Sequence, residues 1–288
     1  LSLNGEAVRL RRPVLYQPSN TGRKSVEGRF VARGATVGFE VGTYDRRLPL
    51  VIDPVLVYSS YFGGSDWDRA NAVAVDASGN TYVVGDTLST GFPTTGAYQG
   101  TKGNGYDAFV VKINNATNTL TYSTFIGGDG TDYGKGIAVD SSSQAVITGQ
   151  TGSSNWPLLN AIDSTLGGTE DAFVMKLNAI GNGLVYSTYF GGTSHDAGFG
   201  VAVDGVGNAY VVGETAGGLT TLNAAQSVLG GGWDAFVAKF TTGGALGYST
   251  YLGGSYGDWG YGIGVNAAGS ACVTGQTQST NFPTLNAK

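Results

Sequence analysis

Groups that carry chemistry are scarce in this sequence. Its 288 residues hold one cysteine, one histidine and one methionine, and only 13% are charged. A lone cysteine, Cys272, excludes an internal disulfide. A lone histidine, His195, leaves a zinc site or a His-centred acid–base pair without further imidazoles. No apolar run approaches the ~20 residues of a membrane-spanning helix, so no span is expected. Glycine-rich stretches such as Gly230-Gly-Gly232 are not followed by Lys-Ser/Thr, which excludes a phosphate loop and leaves turn chemistry. The chain opens at Leu1 with no signal peptide or lipid-anchor motif, so any export signal is expected outside it.

Charge is also unevenly placed. Residues 1–54 carry nine Lys/Arg against five Asp/Glu, whereas residues 55–288 carry seven against sixteen. An acidic main part lacks the basic footprint that phosphates need, so nucleic acid is excluded as a partner. The arginines of the first segment (Arg9, Arg11, Arg12, Arg46, Arg47) are read as a solvated strand edge.

What the sequence has in abundance is glycine, 49 residues, and a repeat. Tyr58-Ser-Ser-Tyr-Phe-Gly-Gly returns from Tyr122, Tyr186 and Tyr248, at intervals of 64, 64 and 62 residues. Ala72-Val-Ala-Val-Asp76 returns at Gly136–Asp140, Gly200–Asp204 and Gly262–Asn266. Asn80-Thr-Tyr-Val-Val-Gly-Asp-Thr87 returns at Gln144–Thr151, Asn208–Thr215 and Ser270–Thr277. Asp107-Ala-Phe-Val-Val-Lys112 returns at Asp171–Lys176 and Asp234–Lys239. Each unit thus holds four short apolar runs bounded by Gly, Asn, Asp or Thr, with hairpin chemistry between the first two. No run has helical periodicity. Four antiparallel strands per unit, repeated, predict an all-β fold of propeller blades. We write a, b, c and d for the strands of one blade. The small residues of strand a suit the crowded channel, and the Tyr-Ser-Thr-Tyr of strand d suits the wider rim.

The boundaries expected from this pattern are a β-rich segment at 1–54 and propeller repeats at 55–288. The repeats divide into a leading outer strand at 55–64, blades at 65–128, 129–192 and 193–254, and a partial blade at 255–288. An open arc of about 3.5 blades is expected, completed by further blades of a parent chain. Cys272 shares its slot with Tyr82, Val146 and Tyr210 and is read as a core filler.

The combination of Tyr-Ser-Thr-Tyr-Leu/Phe-Gly-Gly, Gly-Ile/Val-Ala-Val-Asp and Asp-Ala-Phe-Val-x-Lys resembles the bacterial SBBP repeats over residues 55–288. The stretch from Pro13-Val-Leu-Tyr-Gln17 to Leu50-Val-Ile-Asp-Pro54 looks like the end of the β-rich domain that often precedes them. The resemblance implies a large exported or cell-surface protein. It supplies no catalytic residues.

Candidate site residues are few. Asp68, Asp132, Asp196 and Asp258 recur ten residues after each repeat's first tyrosine; Asp76, Asp140 and Asp204 end strand a; Asp107, Asp171 and Asp234 open strand c. Calcium takes such carboxylates, with Asp66 and Asp68 as the nearest approach to a loop site. The competing reading, that each Asp accepts backbone N–H bonds of its own turn, is preferred, and no cofactor is expected. His195 stands where other repeats have Trp67, Thr131 and Gly257, and is read as a variable loop position. Aromatics in the d-to-a crossings (Trp67, Tyr133, Phe199, Trp259, Tyr261) and in the b-to-c loops (Phe92, Trp156, Phe282) are candidates for a ligand face, with Trp67, Tyr133, Trp156, Phe199, Trp259 and Tyr261 foremost. The alternative is that they wedge between blades. Three functions stay open: a non-enzymatic scaffold contacting a protein or matrix at the cell surface, a carbohydrate-binding propeller using the loop aromatics, and a propeller lyase or glycosidase. An active site breaks symmetry, whereas the acidic positions here repeat, so an enzyme is not expected. The discriminating question is whether non-repeating polar residues converge on one face.

Overall fold

The computed structural model describes residues 2–3, 6–7, 14–19, 22–33, 36–53 and 60–285. It divides into two compact units, Leu1–Tyr61 and Phe62–Lys288.

The first unit is built of short antiparallel pairs. Strands β1 (Ser2–Leu3) and β2 (Glu6–Ala7) form one pair. Strand β3 (Val14–Ser19) is flanked by β4 (Gly22–Val26), and β5 (Gly28–Arg33) pairs with β6 (Thr36–Val41). Strand β7 (Val51–Asp53) takes the other side of β3. Leu15 and Gln17 are buried. The Gln17 side chain donates to the Asp45 carbonyl at 2.7 Å and accepts from the Asp45 N–H at 2.9 Å, tying the loop before β7 to β3. Arg47 pairs with Asp45 at 2.9 Å. Arg9, Arg11, Arg12 and the leading strand around Tyr58 lie outside the described residues, and residues 60–64 form no strand.

The second unit holds four sheets. The first is β8 (Asp68–Val75), β9 (Thr81–Thr87), β10 (Asp107–Asn114) and β11 (Thr119–Ile126). The second is β12 (Asp132–Val139), β13 (Ala145–Thr151), β14 (Asp171–Leu177) and β15 (Leu184–Phe190). The third is β16 (Asp196–Val203), β17 (Ala209–Thr215), β18 (Asp234–Phe240) and β19 (Leu246–Leu252). A two-stranded sheet, β20 (Asp258–Val265) and β21 (Ala271–Thr277), follows. Each sheet is an antiparallel meander in chain order, the all-β blade architecture of a propeller.

Neighbouring blades meet along their first strands, and glycine makes that approach possible. A Cβ on Gly136 would come within 2.9 Å of the Phe199 carbonyl oxygen, and one on Gly200 within 2.9 Å of that of Tyr261. The rim is closed differently. The b-to-c loop crosses back over the outer strand through paired bridges at Thr95–Ser123, Leu159–Ser187 and Leu222–Ser249, covering an edge that would otherwise be open.

Phe92 and Trp156 of those loops are core. Phe92 lies 4.6 Å from Phe109 and Trp156 lies 4.3 Å from Phe173, ring centre to ring centre. In the third blade, which lacks the aromatic-proline pair, the buried Leu219 stands there. Trp156 is 3% exposed, and its indole N–H donates to the Ser187 hydroxyl at 3.0 Å. It offers no face to a ligand, which corrects its place among the candidates: the loop folds back over the blade and seats the ring on Phe173 of strand c. Cys272 is also corrected, being exposed. Its counterparts Tyr82, Val146 and Tyr210 are fully buried in four-stranded blades, whereas β21 has β20 as its sole sheet neighbour.

The a–b turns are fixed by their aspartates. Asp76 Oδ1 accepts the N–H groups of Ser78 and Asn80 at 2.9 Å, and Asp204 Oδ1 those of Val206 and Asn208 at 3.1 and 2.9 Å. Below the turn, the strand-c lysine is drawn in: Lys176 Nζ lies 2.7 Å from Asp140 Oδ2, with both side chains buried.

Candidate functional site

All four first strands carry a β-bulge at the same place. The register slips between Ala70 and Ala72, Gly134 and Gly136, Gly198 and Gly200, and Gly260 and Gly262. The skipped residues are Asn71, Lys135, Phe199 and Tyr261, so the bulge frees a non-repeating side chain from the ladder in every blade. Just before it, cross-strand partners share a face: Arg69 with Asp86, Tyr133 with Gln150, Ala197 with Glu214, and Trp259 with Gln276. Adjacent blades are stitched here by hydrogen bonds from the N–H of Asp132, Asp196 and Asp258 to the carbonyls of Tyr106, Glu170 and Trp233. A constant backbone frame thus presents a row of varying side chains.

At the junction of the first two blades these side chains enclose a cleft of about 240 Å³, lined by Trp67, Arg69, Asp86, Tyr106 and Tyr133. Trp67 is 74% exposed. The Tyr106 and Tyr133 rings lie 5.5 Å apart at 34°. Asp86 Oδ1 accepts from Arg69 Nη2 at 3.1 Å and from Asn71 Nδ2 at 2.6 Å, and Asn71 also donates to the Gly134 carbonyl of the next blade. Lys135 Nζ stands 5.0 Å above the Tyr133 ring. Burial, then the Arg69 charge, push the Lys135 ammonium below its usual range.

The second junction continues the row. His195 Nδ1 lies 3.1 Å from Glu170 Oε2 and Nε2 lies 3.6 Å from Glu214 Oε1. Gln150 donates to Glu170 at 2.7 Å, and the Trp233 ring meets the imidazole at 5.4 Å. The facing Glu214 carboxylate raises the His195 pKa, against the opposing effect of burial. His195, read from sequence as an isolated loop position, is therefore the centre of an ionic cluster. Its two nitrogens face different carboxylates, so the three side chains do not converge on one point. Among the described residues no group of three His, Cys, Asp or Glu side chains is placed to hold a metal.

The candidates divide accordingly. Trp67 and Tyr133 share the cleft. Phe199 and Tyr261 pack on each other at 5.8 Å. Trp259 is half-buried, its ring over Gly257. Asp66 serves its turn, its Oδ1 accepting the Trp67 N–H at 2.8 Å, whereas Asp68 accepts from the Gly64 N–H and also ties the crossing to the end of strand b by accepting from Thr87 Oγ1 and Ser89 Oγ. Sequence reasoning missed Arg69, Asp86, Tyr106, Lys135, Glu170, Glu214 and Trp233. The signal available was variation within a fixed frame, in the slot before the threonine of Gly-x-Thr and the slot before the strand-c aspartate. A shallower groove of about 340 Å³ in the first unit is lined by Glu27–Arg29 and Glu40–Gly42.

The repeated acids set the pH response. Asp107 and Asp196 are each pushed up to about 6, first by burial and further by the neighbouring Asp132 and Asp171 respectively. A raised carboxyl favours the folded state fully below the ordinary value of 3.8 and loses that contribution as pH climbs through about 6. The raised His195 acts in the same direction. Asp76 has the opposite sign: burial alone would raise it, but hydrogen bonds from Asn80, Tyr82 and Ser78 hold it at about 2, so its contribution is lost in acid. Thermal unfolding should therefore show greatest stability near about pH 4 and a decline as pH rises through about 6, and Asp196→Asn should flatten that decline. A melting temperature that rises from pH 5 to 7.5 would contradict this.

Two family models match the chain. Residues 1–55 match a domain of unknown function (DUF7948), and residues 57–93 and 185–219 match the SBBP β-propeller repeat. The chain carries SBBP β-propeller repeats behind a DUF7948 segment. The chain also aligns with solved structures, among them a gluconolactonase from Xanthomonas campestris at 13% identity and a TM-score of 0.40. That match covers 76% of this SBBP chain and 58% of the gluconolactonase. No curated protein matches the chain.

Proposed function

We propose that the SBBP blades form a non-enzymatic binding module of an exported or cell-surface protein, with the ligand held on the face where the bulged first strands begin. The observation that carries this reading is the division of labour in the repeat. Constant residues are consumed by turns, bulges and blade contacts, while the varying ones, from Trp67 to Trp233, gather on one face. Loops and bulges on a rigid frame are where proteins place recognition. The carboxylates on that face speak for binding. Asp86 is engaged by Arg69 and Asn71, and Glu170 and Glu214 both face His195. A glycosidase needs an acid and a base across an open gap.

The test is an array of extracellular matrix proteins and polysaccharides probed with the purified chain and with Trp67→Ala. Retention of binding by the wild type with a loss of about tenfold or more in the variant, as for an exposed aromatic anchor, is the expected outcome. Undiminished binding by Trp67→Ala, or turnover of a bound polymer, would overturn the reading.

A further inference from the structure

We propose that the cleft between the first two blades is a subsite for one acidic sugar ring, a uronate of an extracellular polysaccharide. The Trp67, Tyr106 and Tyr133 rings would take its C–H face, and Lys135 and Arg69 its carboxylate. This rests on the preceding reading of the face and names its ligand.

The apolar part of the argument is the aromatic surface. Trp67 is left 74% exposed beside two tilted tyrosine rings in a cleft of about 240 Å³. Flat rings next to polar side chains match a sugar, whose axial C–H bonds are apolar and whose hydroxyls lie around the edge.

The polar part is an inventory of charges. The carboxylates of the row are occupied: Asp86 by Arg69 and Asn71, Glu170 by His195 and Gln150, and Glu214 by His195. Lys135 differs. Its ammonium is half-buried over Tyr133 and makes no ion pair or hydrogen bond among the described residues. Burial and the nearby Arg69 disfavour its charge and outweigh the support of Asp86, Glu170 and Glu214, so an anion arriving in contact would restore what the fold withholds. The same two cations disfavour a cationic ligand, because Arg69 and Lys135 already occupy the surroundings of the Tyr133 ring at 6.0 and 5.0 Å. A bare inorganic anion would leave the rings uncovered, and a neutral sugar would leave Lys135 unpaired. The guanidinium of Arg69, whose side chain is 57% exposed, adds N–H donors for the same uronate carboxylate.

Titration calorimetry on the 288-residue chain tests the assignment, using oligogalacturonate, an uncharged oligogalactoside of equal length, and polyaspartate. Oligogalacturonate should bind, and Trp67→Ala and Lys135→Gln should each weaken it about tenfold or more. Lys135→Gln should bring it level with the uncharged sugar. Wild-type melting curves for both variants confirm that the fold is intact. Failure of both sugars to bind would overturn the proposal. So would equal binding of the charged and uncharged sugars by the wild type, or polyaspartate binding as tightly as oligogalacturonate with no effect of Trp67→Ala. If the sugars fail while Trp67→Ala still weakens binding to a matrix protein on the array, the sugar assignment falls and the reading of the face stands. If Trp67→Ala changes nothing in either assay, both fall.

Discussion

Replacing Asp140 by asparagine is expected to destabilise the propeller by about 3–5 kcal/mol, because it strands a buried ammonium. Lys176 Nζ lies 2.7 Å from Asp140 Oδ2, and its only other partner among the described residues is the Gly207 carbonyl at 3.4 Å. Lys176 is 1% exposed, so water cannot replace the lost carboxylate. Asparagine keeps an oxygen for the turn, where Asp140 Oδ1 accepts from Ser142 and Gln144 at 2.8 and 3.0 Å. The loss therefore reports on the charge pair. Asp140→Asn combined with Lys176→Met should recover most of the stability, since an apolar chain of similar length suits the site once both charges are gone. Denaturant unfolding of the three proteins measures it. A double variant as unstable as the single one would place the effect in the turn and refute the account.

Gly213→Ala should cost about 3 kcal/mol, a fall of roughly 6–12 °C in melting temperature for a domain of this size. A Cβ at this position would overlap the Ala197 carbonyl oxygen and lie 2.7 Å from the Phe236 ring. The first obstacle is backbone and cannot swing away, and the second is fully buried. Gly213 pairs with Gly198 at the edge of the bulge that releases Phe199, so the variant must flatten the bulge or part the strands. Gly85, Gly149 and Gly275 meet the same obstacle at Arg69, Tyr133 and Trp259, which is why the repeat reads Gly-x-Thr in every blade. Gly205→Ala, with nothing within 4 Å of its Cβ, is the control and should leave the melting temperature unchanged. A Gly213→Ala protein melting within 2 °C of the wild type, roughly the effect of under 1 kcal/mol, would mean that the close approach is not rigid.

The repeat made much of the architecture legible. Four apolar runs per unit, the Asp-bounded hairpins and the absence of helical periodicity specify antiparallel blades, because strand, turn and edge are local decisions written within ten residues. The turn role of Asp76, Asp140 and Asp204 was readable for the same reason, since the turn N–H groups they bind lie two to four residues away. What the sequence could not determine was which varying residues meet. Arg69 and Asp86 are 17 residues apart in the chain. Tyr106 reaches Tyr133 across a blade boundary, and His195 reaches Glu170 only because the N–H of Asp196 bonds the Glu170 carbonyl. Trp67 and Trp156 look alike in sequence, each an aromatic in a loop, yet one is 74% exposed and the other 3%. The difference is set by whether strand c lies beneath the ring. Local chemistry fixed the blades, whereas the packing of one blade on the next decided the face, because side-chain neighbours across a junction depend on register and bulge rather than on distance along the chain.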